Sequence, residues 1–248
     1  MSHTSYGYSD YFGSLHTISE QMLSFLDREI ENWVGLQVYD VACGRGEVAY
    51  SLENRGARVI AMESDSTVLS QAIERSASSP NVRTTRFFMG TLNFLKGQND
   101  SFHMILCLNN AIAALTSEAE FFSFLQQAAN LLMSNGRLII QLMNYDRILS
   151  QKDFDLPDIS VPTSGIRVKR HFVPEGADRL ILNSRVEIFR SDGFEISQTK
   201  SLIYPIRKLK LTQMLKDCGY RSVSFYSAPD GSTWTEDSRR TLFVAIKS

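Results

Sequence analysis

The chain has 248 residues, enough for one substantial hydrophobic core, and its 43% hydrophobic and 21% charged residues are those of an ordinary globular protein. A formal net charge of −1 argues against nucleic acid as a partner, because such binding rests on neutralising phosphates. No apolar run approaches the ~20 residues of a membrane span, so no membrane partner is expected. Cys43, Cys107 and Cys218 are odd in number and far apart, which suits free thiols rather than disulfides. Met1-Ser-His-Thr-Ser-Tyr6 lacks the basic and apolar regions of a signal peptide, and a cytoplasmic protein is expected. His3, His16, His103 and His171 show no metal-ligand spacing, so no metal is expected.

Residues 1–35 hold an aromatic segment, Tyr6, Tyr8, Tyr11 and Phe12, and then a helix with Leu15, Ile18, Met22, Leu26, Ile30 and Trp33 at helical spacing. Residues 36–150 alternate strands and helices. Strands are expected near 36–41, over Arg58–Glu63, from Val82 to Met89, over Phe102–Leu108 and over Arg137–Met143. Helices follow Gly46, Ser66 and Ser117, where Ser117-x-x-Glu120 is a capping box. His103 reads as a satisfied residue of a buried strand, and Phe121, Phe122, Phe124 and Leu125 read as core. This alternation predicts an α/β fold with a parallel sheet covered on both faces. The texture changes over 151–205: a Pro- and Gly-containing loop at 151–165, then a three-stranded antiparallel meander over 166–173, 179–190 and 194–204. It reads as a lid over a substrate pocket or as a surface for a homodimer. Residues 206–248 supply a helix ending at Cys218 and two closing strands, expected to be antiparallel.

The chemistry concentrates in Val38-Tyr-Asp-Val-Ala-Cys-Gly-Arg-Gly-Glu47. Asp40 ends a strand, Gly44 and Gly46 form a tight loop, and a helix starts at Glu47. Glycines let the backbone approach a ligand closely, at the carboxyl end of a parallel sheet where nucleotide-like cofactors bind. Gly44-Arg-Gly-Glu-Val-Ala49 also fits the dinucleotide fingerprint, with Glu63 lying 63 − 44 = 19 residues on, so an NAD(P)-dependent oxidoreductase is one reading. A pyrophosphate is ill-matched to Asp40 four residues before Gly44. A ligand with a cation and an amino group is better matched. Two acids around a D-x-x-x-G-x-G loop suit S-adenosylmethionine, with Asp40 serving the aminoacyl end, directly or through water, and Glu63 the ribose hydroxyls.

Two further stretches carry a resemblance. Cys107-Leu-Asn-Asn-Ala111 is similar to a C-L-G-N-S motif after strand four, and Asn144-Tyr-Asp146 matches an N-Y-D motif after strand five. With the glycine loop, they make the chain resemble the class I S-adenosylmethionine-dependent methyltransferases, nearest to the small-molecule group typified by glycine N-methyltransferase. The resemblance covers roughly residues 36–143 and 205–247. It implies a Rossmann-like seven-stranded sheet with an antiparallel last strand, and transfer of a methyl group to nitrogen or oxygen of a small-molecule acceptor. It implies that Asp40, Gly44 and Gly46 line the methionine end of the cofactor and Glu63 the ribose, that Gly90, Thr91 and Leu92 flank the adenine and Leu108 to Asn110, with Asn109 between them, the methyl-bearing sulfur, and that Ala42, Cys43 and Ser64 also belong to the cofactor site. Asn110 stands where the family's asparagine reaches the substrate.

The chain departs from the pattern at three places. Thr91 replaces an acid that meets the adenine amino group, and Ser64 replaces a bulky apolar residue that packs on adenine. Met143 replaces the arginine that receives the glycine carboxylate, which argues against glycine as acceptor. Arg147, one helical turn further on, is a substitute or a surface residue. Thr91 and Ser64 also leave room for a catalytically silent protein of this fold. Tyr11 and Tyr145 are candidates for contact with the ligands, against packing roles. His171 is a candidate base, against a surface strand position.

Overall fold

The computed structural model describes residues 19–78, 85–95, 101–162, 165–190 and 193–248. Tyr11, Leu15, Ile18 and the beginning of the third predicted strand lie outside them. The first described helix, α1 (Glu20–Glu29), starts where the Ser19 hydroxyl accepts from the Met22 N–H at 3.2 Å.

Strands and helices then alternate: β1 (Gln37–Val41), α2 (Glu47–Glu53), β2 (Arg58–Glu63), α3 (Ser66–Ser78), β3 (Arg86–Met89), β4 (Phe102–Cys107), α4 (Glu118–Leu131) and β5 (Leu132–Met143). The Ser117 hydroxyl accepts from the Glu120 N–H at 3.3 Å, and Glu120 reaches back to the Thr116 N–H at 2.6 Å, so the capping signature sets the start of α4. β5 begins earlier than the sequence suggests. Asn135, with φ 64°, and Gly136 form a bulge within the strand rather than a turn before it.

Side chains leave a strand alternately on opposite faces, and here both faces are buried. Tyr39, Val41, Ile105, Cys107, Leu138 and Ile140 enter one core, and Val38, Val59, Ala61, Met104, Leu106 and Ile139 the other. This is the burial expected of parallel strands covered on both sides. Of the aromatic run in α4, Phe121 and Phe124 are fully buried, whereas Phe122 is 38% exposed. His103 is satisfied, its Nδ1 accepting from the Gln37 N–H at 3.1 Å.

After β5 come α5 (Tyr145–Gln151), then β6 (Asp155–Val161), β7 (Ile166–Glu175), β8 (Arg179–Arg190) and β9 (Gly193–Ile203), and finally α6 (Lys208–Asp217), β10 (Tyr220–Tyr226) and β11 (Arg240–Lys247). The main sheet has seven strands in the order β10-β11-β5-β4-β1-β2-β3, with β11 antiparallel to both neighbours. The second sheet is antiparallel, in the order β6-β7-β8-β9. It therefore has four strands rather than three. The expected loop at 151–165 contains β6, an edge strand that tolerates Pro157 because a register shift lies between Leu156 and Ile159. The two sheets share a core: Phe172, Leu180 and Ile203 pack in the same cluster as Tyr145, Ile148 and Ile206.

A candidate active site at the carboxyl end of the sheet

The residues that end β1, β2, β4 and β5 surround one cavity of about 1360 Å³, closed on its far side by the second sheet. That is the crevice at which open α/β sheets collect ligands. Ala42, Cys43, Gly44, Glu63, Ser64, Gly90, Thr91, Leu92, Leu108 and Asn109 line it, as does Asn110.

The glycine loop is shaped by its backbone. Ala42, Gly44 and Gly46 have φ of 57°, 58° and 74°. A Cβ on Gly46 would meet the Phe87 ring at 2.9 Å. Gly46 thus lets the chain turn into α2, and it does not line the cavity. The Cys43 N–H donates to the Met62 carbonyl at 2.9 Å, which ties the loop to β2.

The two acids divide their work. Glu63 Oε2 accepts from the Gly44 N–H at 2.9 Å, and Oε1 accepts from the N–H groups of Ser64 and Asp65 at 2.7 and 3.1 Å. Carboxylate oxygens have two acceptor sites each, so Oε2 keeps one for a hydroxyl donor. Asp40 lies beneath the loop, 2% exposed and off the cavity wall. Its Oδ2 has no hydrogen-bond partner among the described residues. Burial first, and then the Glu63 charge, push its carboxyl up to about 7, offset in part by the Ala49 N–H. Burial and Asp40 likewise push the thiols of Cys43 and Cys107 up, so neither is a thiolate nucleophile at neutral pH.

The acceptor side is held by residues after β4 and β5. Asn109 and Asn110 both have left-handed backbones, φ 52° and 65°, which asparagine tolerates better than most residues. Gln141, which sequence reasoning did not single out, fixes them: its side-chain oxygen accepts from the Asn109 N–H at 3.0 Å and its carbonyl from the Asn110 N–H at 3.0 Å. Asn110 Oδ1 in turn accepts from the Met143 N–H at 2.8 Å.

Tyr145 does not line the cavity. It is 1% exposed and packs on Phe172 with ring centroids 6.1 Å apart. Its hydroxyl faces Asn110, and burial pushes it up to about 12. The rest of Asn-Tyr-Asp is structural. Asn144 caps α5 and donates to the carbonyls of Glu236 and Ser238, and Asp146 accepts from the Lys208 N–H at 2.8 Å, starting α6.

His171 is misplaced for a base. Strand alternation puts Arg170 and Phe172 toward the cavity and core and leaves His171 exposed on the opposite face beside Asn183, at 3.3 Å. The same alternation brings Leu182, Ser184, Thr199 and Ser201 to the cavity, a pattern readable in β8 and β9 once the inner face is known. Arg147 lines the cavity but is paired with Asp153 at 2.6 Å.

The arrangement disfavours a dinucleotide. The Gly44 N–H that a pyrophosphate would use is given to Glu63, and Asp40 lies below. Residues 38–136 match the family model described as a methyltransferase domain. The fold is the one seen in S-adenosylmethionine-dependent methyltransferases, and the matched domain contains the glycine loop and both acids of the site. Among individual proteins, the glycine/sarcosine N-methyltransferase of Aphanothece halophytica is 21% identical over 232 residues, covering 94% of this chain and 84% of the relative. The methyltransferase CcbJ of Streptomyces caelestis superposes with a TM-score of 0.81 at 17% identity, over 97% of this chain and 96% of its own. An S-adenosylmethionine-dependent methyltransferase of Clostridium acetobutylicum does so at 0.80 and 14%, over 96% of each chain.

Proposed function

We propose that the chain transfers a methyl group from S-adenosylmethionine to the nitrogen of a small molecule held between Asn110 and the inner face of the second sheet. The observation that carries this is the buried, unpartnered Asp40 Oδ2 beneath a glycine loop whose Gly44 N–H is taken by Glu63. A site of that charge fits a ligand with a cationic aminoacyl end and ribose hydroxyls. Asp40 would hold the aminoacyl end through the loop and Glu63 the ribose, while Gly90, Thr91 and Leu92 flank the base. When bound, the cofactor supplies an electrophilic methyl on sulfur.

The protein's own part is alignment and exclusion of water. Nucleophile and methyl must be held about 3–3.5 Å apart in line, and the left-handed Asn109-Asn110 turn, pinned by Gln141, is the rigid element at that point. Tyr145 keeps its proton at neutral pH and is a positioning group rather than a base. An amine can arrive neutral after losing its proton to water, whereas an alcohol needs a base. This favours nitrogen over oxygen, in line with the activity named for the Aphanothece halophytica relative. The free thiols fit a reducing compartment such as the cytoplasm.

Calorimetry with S-adenosylhomocysteine and NAD tests the reading. The first is expected to bind and the second not. Glu63→Ala should weaken S-adenosylhomocysteine about tenfold to hundredfold, the loss of one or two charge-assisted bonds. Asp65→Ala should not, because Asp65 Oδ1 caps α3 through the N–H groups of Thr67 and Val68. Equal losses in the two variants would remove the ribose assignment.

A further inference from the structure

The cavity holds five arginines, Arg45, Arg147, Arg170, Arg239 and Arg240. Arg45 belongs to the glycine loop. Arg147 is neutralised by Asp153 at 2.6 Å. Arg170 leans on the Pro157 carbonyl at 3.5 Å. Arg239 and Arg240 have no ion pair among the described residues, and both are exposed.

Their position matters as much as their freedom. Arg240 opens β11 directly opposite Met143 of β5. Opposed residues of an antiparallel pair point to the same face with Cβ atoms about 4.5–5.5 Å apart. Met143 is also the residue whose N–H bonds Asn110, at 2.8 Å. Asn110, Met143 and Arg240 therefore form one row across the acceptor side of the cavity.

The segment before Arg240 is fastened at several points. The Asn144 N–H donates to the Arg239 carbonyl at 3.1 Å, and its side chain holds Glu236 and Ser238. Gln151 donates to Asp237 at 2.6 Å. Trp234 donates to Thr241 at 2.8 Å and carries the Lys208 ammonium 3.8 Å from its ring centroid. A cation presented on so fixed a segment loses little freedom on binding an anion. Asp155 and Asp158, which also line the cavity, stand on β6 in the other sheet.

We propose that Arg240, seconded by Arg239, receives an oxyanion of the acceptor, so that the methylated molecule is an amine bearing a carboxylate or a phosphate. This rests on the methyltransferase reading above and deepens it.

The test uses the full chain saturated with S-adenosylhomocysteine, so that the glycine loop is occupied. Inorganic phosphate and acetate are titrated separately and followed by amide shifts in NMR spectra. Saturable binding of at least one is expected, and which one binds distinguishes a phosphate-bearing from a carboxylate-bearing acceptor. Arg240→Gln should weaken it about tenfold or more, and Arg240→Lys, which keeps the charge but not the fork, should fall between. S-adenosylhomocysteine affinity and the melting temperature should hold in both variants, since the side chain is exposed. A second readout is turnover on paired small amines, each as acid and as amide. Arg240→Gln should raise KM for the acids with kcat little changed and leave the amides unaffected. No saturable anion binding, equal binding by Arg240→Gln, or a loss seen in Arg147→Gln instead overturns the assignment alone. Failure of S-adenosylhomocysteine to bind the wild type overturns the methyltransferase reading and this assignment with it.

Discussion

Asp40 is held in the interior of the sheet with one carboxylate oxygen that no described residue satisfies. Its carboxyl is raised from 3.8 to about 7, so between those values the unfolded chain gives up this proton and the folded chain keeps it. The unfolded state then binds fewer protons, and stability falls as pH rises through that window. The span corresponds to about 4 kcal/mol at most, a cost that the neutral amide of the Asp40→Asn variant avoids. Asp40→Asn is therefore expected to melt higher than wild type at about pH 8 and to show a flatter stability profile between about pH 4 and 7. Binding runs the other way. A cationic ligand end favours the ionised carboxyl, so wild-type affinity for S-adenosylhomocysteine should rise from about pH 6 to about pH 8 with release of a proton. The variant should bind about tenfold to hundredfold more weakly, without that slope. Calorimetry in two buffers of different ionisation enthalpy, with thermal melts alongside, checks both halves. A variant less stable than wild type at about pH 8, with both pH slopes unchanged, would mean that Asp40 is ionised and satisfied in the folded protein.

Among the elements, the turn after β4 shows how much a short segment depends on its neighbour. Asn109 and Asn110 keep left-handed conformations because β5 receives both of their N–H groups, through the Gln141 side chain and carbonyl. Gln141 is itself 6% exposed. Gln141→Ala leaves the Asn109 N–H without its acceptor, a loss of about 0.5–1.5 kcal/mol for a part-buried hydrogen bond. Melting temperature should drop accordingly, and kcat should fall more than cofactor affinity, because the glycine loop lies on other strands. Rate measurements under saturating cofactor separate the two, and a fall in affinity alone would place the turn on the donor side instead. Elements of this kind also mark where the sequence was readable. The glycine loop, the apolar strands and the Ser117 capping box are local patterns, so β1, β2, β4 and α4 could be located from residue types alone. Gln141 could not, since one polar residue in an apolar strand announces neither its partner nor its face. β6 was read as a loop because Pro157 and the register shift beside it erase alternation. His171 stays between a base and a surface position in the sequence, because its strand is recognisable there while the buried face of that strand is not.

For the molecule as a whole, the decisive feature is that the two sheets are not separate bodies. Phe172, Leu180 and Ile203 of the second sheet lie in the principal core with Tyr145 and Ile206, and burying each such side chain stabilises the fold by about 1.5–3 kcal/mol. Exchanging residues 160–200 for a short flexible linker would remove Phe172 and Leu180 together, and loss of cooperative folding is the expected result, rather than a folded protein without a lid. The role of the sheet is better tested on its inner face. Ser184 and Thr199 are paired across β8 and β9 and both line the cavity, whereas the glycine loop and the β2 end lie on the other sheet. The double substitution Ser184→Leu with Thr199→Leu adds apolar volume to the acceptor side without touching a core position. It should raise KM for whichever amine the wild type methylates best by about tenfold or more, the scale of one or two lost polar contacts. S-adenosylhomocysteine affinity should stay within about threefold, a change below 1 kcal/mol. If cofactor affinity falls in step with turnover, donor and acceptor share that wall, and the division of the cavity between the two sheets is wrong.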